Sequence, residues 1–129
     1  MSHLNHLTKR ADFLYVKSVN LNFASTHVVL QIAPNNLEGK YSTRVGFTAS
    51  KKIGNAVKRN YAKRLMRALV FRQKGQLLNS VDYVFIARRA ILNGKFNVIE
   101  TEIINVLIKA NKKIPLQKIA VQPKFLTGN

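Results

Sequence analysis

Between Gly39 and Val81 the chain carries Lys40, Arg44, Lys51, Lys52, Lys58, Arg59, Lys63, Arg64, Arg67, Arg72 and Lys74, and no carboxylate. Lysine and arginine neutralise phosphates and release the counterions condensed on them. The planar arginine fork can also hold one phosphate through two hydrogen bonds. A solvated helix face usually mixes signs, because opposite charges one turn apart stabilise the helix; this run has no such pair to make. These residues therefore suggest a surface for a polyanion, with Asn60 as an added donor to a phosphate or a sugar hydroxyl. A second, weaker candidate surface combines Phe13 with His27, Val29 and Gln31, since unpaired bases stack on aromatics beside polar edge contacts. On the residues alone, Phe13 fits a core position better than a stacking platform.

Side-chain catalysis is not indicated. A protein nuclease needs a metal-binding carboxylate cluster or a general acid–base pair. The carboxylates are Asp12, Glu38, Asp82, Glu100 and Glu102, and they form no spaced metal motif. His3, His6 and His27 make no HExxH-like pattern, and His3 and His6 are read as idle residues near the amino end. No catalytic residue, no metal site and no protein-bound cofactor is expected.

The elements that must position the cations follow from periodicity. A short helix is expected over Ala11–Val19. His27–Ala33 alternates as a strand, with Val28, Leu30 and Ile32 on one face and His27, Val29 and Gln31 on the other. Pro34-Asn35-Asn36 breaks it, and Ser42–Ser50 forms the next strand. Val45, Phe47 and Ala49 share one face of that strand with Thr43, opposite Arg44, Gly46 and Thr48. The short connection predicts that these two strands are antiparallel neighbours. Asn55 is a candidate N-cap for a helix over about Ala56–Phe71. Val57, Tyr61, Leu65 and Leu69 recur every four residues as an apolar stripe, and Arg59, Lys63 and Arg67 recur on a different face. Val81–Ala87 is a third strand. A last helix over Phe96–Lys112 places Ile99, Ile103, Val106, Leu107 and Ala110 on one side and ends at Pro115. The order predicts an α+β fold, a two-layer sandwich of helices on a small mixed or antiparallel sheet, in which Ser42–Ser50 and Val81–Ala87 could form a parallel βαβ unit.

At 129 residues the chain suits one domain, here residues 1–115. The segment 116–129 is expected to be a basic tail, loosely attached or disordered. Hydrophobic residues make up 47%, too many for a disordered basic arm. The net charge of +17 makes a compact state self-repelling unless a polyanion neutralises it, and nucleic acid and an anionic membrane are the two partners of that kind. Without cysteine, an intracellular, cytoplasmic location is the natural expectation. Met1–Leu7 lacks the apolar run of a secretory signal, and no stretch approaches a membrane span. No internal repeat is present.

The stretch from Arg44 through Gly46-Phe47-Thr48-Ala49-Ser50-Lys51-Lys52-Ile53-Gly54-Asn55-Ala56-Val57-Lys58-Arg59-Asn60 to Lys63-Arg64 and Arg67 resembles the signature of the bacterial ribonuclease P protein-subunit family. Leu7–Phe13 and Asp82–Arg88 add to the resemblance, which covers roughly residues 7–112. It implies a protein that binds a large catalytic RNA and assists removal of the 5′ leader from precursor tRNA. Hydrolysis and the magnesium ions would then belong mainly to the RNA. It further implies a left-handed βαβ crossover, an exception to the usual hand. Lys51, Lys52, Lys58, Arg59, Asn60, Lys63, Arg64 and Arg67 match the RNA-binding motif. Phe13, Lys17, His27, Val29 and Gln31 fall on the leader-binding cleft, which reverses the reading of Phe13 as core. Tyr61 stands where the family usually has Arg, and Lys17 where many relatives carry a second cleft aromatic. Leader binding here would thus lean more on charge and less on stacking.

Three other readings compete. A non-enzymatic RNA-binding protein, such as a ribosomal protein, suits size, charge and fold. A DNA-binding module lacks the spacing of a helix-turn-helix. A membrane-surface protein would expose large apolar residues opposite the cations, on a face that the neighbouring strands are expected to bury.

Overall fold

The computed structural model of the chain describes residues 4–39 and 41–121, with side chains as far as Ile114. Five strands, β1 (Asn5–His6), β2 (Leu21–Ala24), β3 (Val28–Pro34), β4 (Arg44–Thr48) and β5 (Val81–Ala87), form one sheet in the order β1-β4-β5-β3-β2. The helices are α1 (Arg10–Val19), α2 (Ala56–Arg72) and α3 (Phe96–Val121). β4 runs parallel to β1 and β5, whereas β3 is antiparallel to β5 and β2.

β5 takes the middle because only it is apolar enough to be covered on both faces; every residue but Ile86 is buried. This corrects the expectation that β3 and β4 pair, since β5 lies between them. Strands stand about 4.8 Å apart, and the connection over residues 35–43 is long enough to pass one of them by. The β4–α2–β5 unit is parallel, as expected.

Strand alternation sorts the two faces. Val28, Leu30, Ile32, Val45, Phe47, Tyr83 and Phe85 point into the main core beneath α2 and α3. Ala33 and Val84 point the other way, to Leu7 and to Val16 of α1. The sheet with α2 and α3 makes the two main layers, and α1 covers part of the opposite face.

Local signals set the helix ends. The Asn55 side chain accepts the Lys58 N–H at 3.0 Å and starts α2. Gly54 before it has φ 144° and ψ −154°, a conformation essentially reserved for glycine. Asn20 stops α1 with φ 63°. α3 does not end at Pro115 but continues to Val121. Proline fits the helical φ, so a helix can run past it at the cost of one hydrogen bond and a local distortion. The first residues of the expected tail are therefore helical, and residues 122–129 lie outside the described residues.

The stripe Val57, Tyr61, Leu65, Leu69 is not the buried face of α2. Ala62, Met66 and Val70 are buried, and of the stripe Leu69 joins them and Leu65 is partly buried, while Val57 is 76% exposed and Tyr61 41%. At about 100° per residue, a four-residue step advances by about 40°, so a run of such steps spirals from solvent into the core.

Tyr83 ties β5 to both flanking segments. Its hydroxyl donates to Asn111 Oδ1 at 2.7 Å and accepts the Leu78 N–H at 2.9 Å, and Asn111 Nδ2 donates to the Gln76 carbonyl. Burial pushes the phenol up to about 12. Because this value lies above that of an unfolded tyrosine, near 10, the stability it contributes is complete below about pH 10 and is lost as the pH rises through about 12. Tyr83→Phe should cost about 1–3 kcal/mol at neutral pH by stranding a buried N–H and a carbonyl. Denaturant titrations of both proteins should show the gap narrowing between pH 10 and 12. Lysine titration is common to the two and cancels in the difference.

Candidate nucleic-acid interface

The cations of the acid-free run divide by what they touch. Arg44 is spent inside the protein. Its Nε and Nη2 meet the fully buried Asp82 carboxylate at 2.9 and 2.8 Å, and its Nη1 lies 3.4 Å from Asp12 of α1. The hydrogen bond to Asp82 raises the guanidinium pKa against the opposing desolvation. Arg72 pairs with Glu100 of α3. Lys51, Lys52, Lys58, Arg59, Lys63, Arg64 and Arg67 take part in no ion pair among the described residues.

Those cations lie on α2 and on the short turn that packs against it. Lys51 and Lys52 are exposed on the 3-10 turn that follows β4, where the Ser50 hydroxyl accepts the Lys52 N–H. Lys58, Asn60, Arg64 and Arg67 are exposed on α2, and Arg59 and Lys63 are half-buried along its flank. Arg59 Nη1 donates to the Gly54 carbonyl at 2.9 Å, which braces the turn, and the Arg67 guanidinium lies 5.5 Å from the centre of the Phe47 ring. Four of the five carboxylates are held elsewhere, Asp12 and Asp82 by Arg44, Glu100 by Arg72 and Gln73, and Glu102 by His27, and the fifth, Glu38, is exposed in the connection between β3 and β4. The surface is thus rigidly anchored and electrically uncompensated.

The second candidate surface is the sheet face beneath α1. Register places Thr48, Ile86, Val29 and Ala24 in one row across the strands, and Gly46, Val84, Gln31 and Asn22 in the next. Gly46, Val84 and Ala33 are buried, Val29, Gln31, Ile86 and Thr48 are half-buried, and Asn22 and Ala24 are exposed. An open floor therefore lies beyond the end of the sheet that α1 covers. Phe13 is half-buried at the covered end. A Cβ on Gly46 would come within 2.5 Å of its ring, so glycine at that position lets the ring lie on the sheet. Lys17 is exposed on α1.

His27 does not join this floor. Its Nδ1 lies 2.9 Å from Glu102 Oε2 on α3, and its backbone N–H donates to the same carboxylate. It sits in the turn before β3, where strand alternation does not apply. Burial opposes ionisation of Glu102, but the His27 amide, its ring and the Ser25 hydroxyl prevail and hold the carboxyl below its usual range. His6, read as idle, belongs to β1, with its ring 6.1 Å from that of Phe47; His3 lies outside the described residues. Sequence reasoning missed Asn22 and Ala24 on the floor. The alternation of Leu21-Asn22-Phe23-Ala24 carried that signal, in a run too short to stand out.

Among the described residues no group of three His, Asp or Glu side chains could hold a metal ion, and no helix is long and apolar enough to cross a membrane.

Comparison with known proteins gives a consistent result. The family model described as Ribonuclease P matches residues 1–111. The chain is 36% identical to the ribonuclease P protein component of Alkaliphilus metalliredigens, covering 84% of this chain and 96% of the relative. It is 38% identical to that of Dehalococcoides mccartyi, over 85% and 88% of the two chains. Among solved structures, the RNase P protein of Staphylococcus aureus superposes with a TM-score of 0.71 at 28% identity, covering 84% of this chain and 96% of that one. The protein from Thermotoga maritima gives 0.69 at 25%, over 80% and 94%.

Proposed function

The chain belongs to the ribonuclease P protein family, and from that premise we propose that the outer surface of α2, with Lys51 and Lys52, binds the catalytic RNA while the open floor beside α1 receives the 5′ leader of precursor tRNA. The protein is the protein component of an endoribonuclease, and hydrolysis by the RNA agrees with the family. One observation carries the division of labour: the cations of α2 from Lys58 to Arg67 have no ionic partner among the described residues. Desolvating such a surface against phosphates gains attraction without first breaking an ion pair. The floor suits a single strand, which can lay unpaired bases on Phe13, Val29 and Ile86 and find hydrogen bonds at Gln31. Lys17 supplies charge at its edge. Magnesium belongs to the RNA in this reading, and the site of action is cytoplasmic.

Cleavage of precursor tRNA by a bacterial ribonuclease P RNA at low magnesium, with and without the protein, tests the reading. Cutting at the mature 5′ end should require both components, and the protein alone should be inert. Arg64→Ala should weaken binding of the catalytic RNA. Phe13→Ala should instead weaken long-leader substrates by roughly 5- to 100-fold, from stacking of about 1–3 kcal/mol per base, and leave a substrate with a one-nucleotide leader little changed. Equal losses on both substrates would remove the floor from leader binding.

A further inference from the structure

Beyond the motif, α2 carries an aromatic that the function above does not use. Asn60, Arg64, Arg67 and Phe71 are spaced by four, three and four residues, which aligns them along one face of α2, and Lys74 follows in the 3-10 turn beyond its end. Phe71 is 38% exposed, with Lys74 Nζ 4.2 Å from its ring centre. Phe96, at the start of α3, is 49% exposed, and the Arg72 guanidinium lies 5.8 Å from its ring centre. Glu100, the carboxylate in this neighbourhood, is held by Arg72 and Gln73.

We infer that Phe71 and Phe96, each lying beneath a cation, take unpaired bases of the RNA bound by α2; this rests on the reading of α2 as the RNA-binding element. Continuity is the first argument, because Phe71 prolongs the row of Asn60, Arg64 and Arg67. Charge is the second. A protein partner would favour an apolar patch whose centre lacks charge, yet here each exposed ring has a cation over it in a chain of net charge +17. A nucleotide at Phe71 satisfies both groups at once, its base stacking on the ring and its phosphate meeting the Lys74 ammonium, while at Phe96 the Arg72 guanidinium, already paired with Glu100, adds its plane to the stack. Stacking of this kind tolerates any base, so these rings would add affinity and register but no sequence preference.

The test is the affinity of the full chain for a bacterial ribonuclease P RNA across a salt series. Phe71→Ala and Phe96→Ala should each bind roughly 5- to 100-fold more weakly at every salt concentration, with an unchanged log–log slope, because no phosphate contact is lost. Phe71→Tyr should bind like the parent, and Phe71→Leu no better than the alanine variant. Matching thermal melts of the free proteins exclude misfolding as the cause. Parental affinity in both alanine variants, or full recovery with leucine, overturns the inference. Arg64→Ala in the same series separates the two readings, since it should lower the slope by about one. If that slope does not move, the reading of α2 fails. If it moves while both phenylalanine variants bind normally, stacking alone is wrong.

Discussion

Arg44→Met should lower the folding free energy by about 3–5 kcal/mol, a large part of the roughly 5–15 kcal/mol that holds a typical domain together. Methionine keeps much of the volume and removes the fork. The Asp82 carboxylate, with no solvent exposure, would then retain, among the described residues, the Asn35 amide, whose Nδ2 lies 2.8 Å from Oδ1. Breaking one side of a buried pair leaves a charge that neither water nor a partner solvates, and this is what makes the loss large. Arg44→Lys should recover little, because one ammonium cannot satisfy both carboxylate oxygens and still approach Asp12. The double variant Arg44→Met/Asp82→Asn should regain much of the loss, since the stranded charge is gone. Denaturant titrations of the three variants decide the matter. Equal instability of the single and double variants would show that the packing of Arg44, not its charge, is what counts. Function should follow: Arg44 links β4 and β5 to α1 through Asp12, so its loss loosens the helix that carries Phe13 and Lys17.

Arg44 also shows what the sequence conceals. It lies in the acid-free run and counts as a cation like any other until the fold brings Asp82 and Asp12 to it from distant positions. The surface on α2 was legible because it needs no such information. A helix with a cap at Asn55, cations all round its outer half and no carboxylates reads the same alone or folded. The central strand was legible for a related reason, since Val81–Ala87 is apolar on both faces. The strand neighbours were not, because pairing depends on which strand most needs covering. His27 was misplaced because alternation was extended one residue into a turn. The stripe on α2 was misplaced because a four-residue repeat is not the helical period, and the small error in angle accumulates over three turns. β1, with two residues, and β2, with four, are too short for periodicity to register and exist only through their partners.

Affinity for the catalytic RNA should fall by roughly 10³–10⁵ between about 50 and 200 mM salt, as expected for about 6–10 phosphate contacts. The surface formed by Lys51, Lys52, Lys58, Arg59, Lys63, Arg64 and Arg67 supplies contacts in that range. Each phosphate neutralised releases condensed counterions, and that release is worth less as the bulk salt rises. The sign is opposite for the free protein. Its net charge of +17 repels itself, and added salt screens that repulsion, so over the same range its resistance to denaturant should rise while its RNA affinity collapses. Opposed trends in one buffer series would locate the salt effect in the complex and not in a protein unfolding at high ionic strength. A flat binding response would mean that the α2 cations stay solvated when RNA is bound, and the interface would have to be sought elsewhere. Arg59 offers a graded check within the same experiment. Its guanidinium also braces the Gly54 carbonyl, so Arg59→Ala should cost both slope and stability, whereas Arg64→Ala, exposed and without an internal partner among the described residues, should cost slope alone.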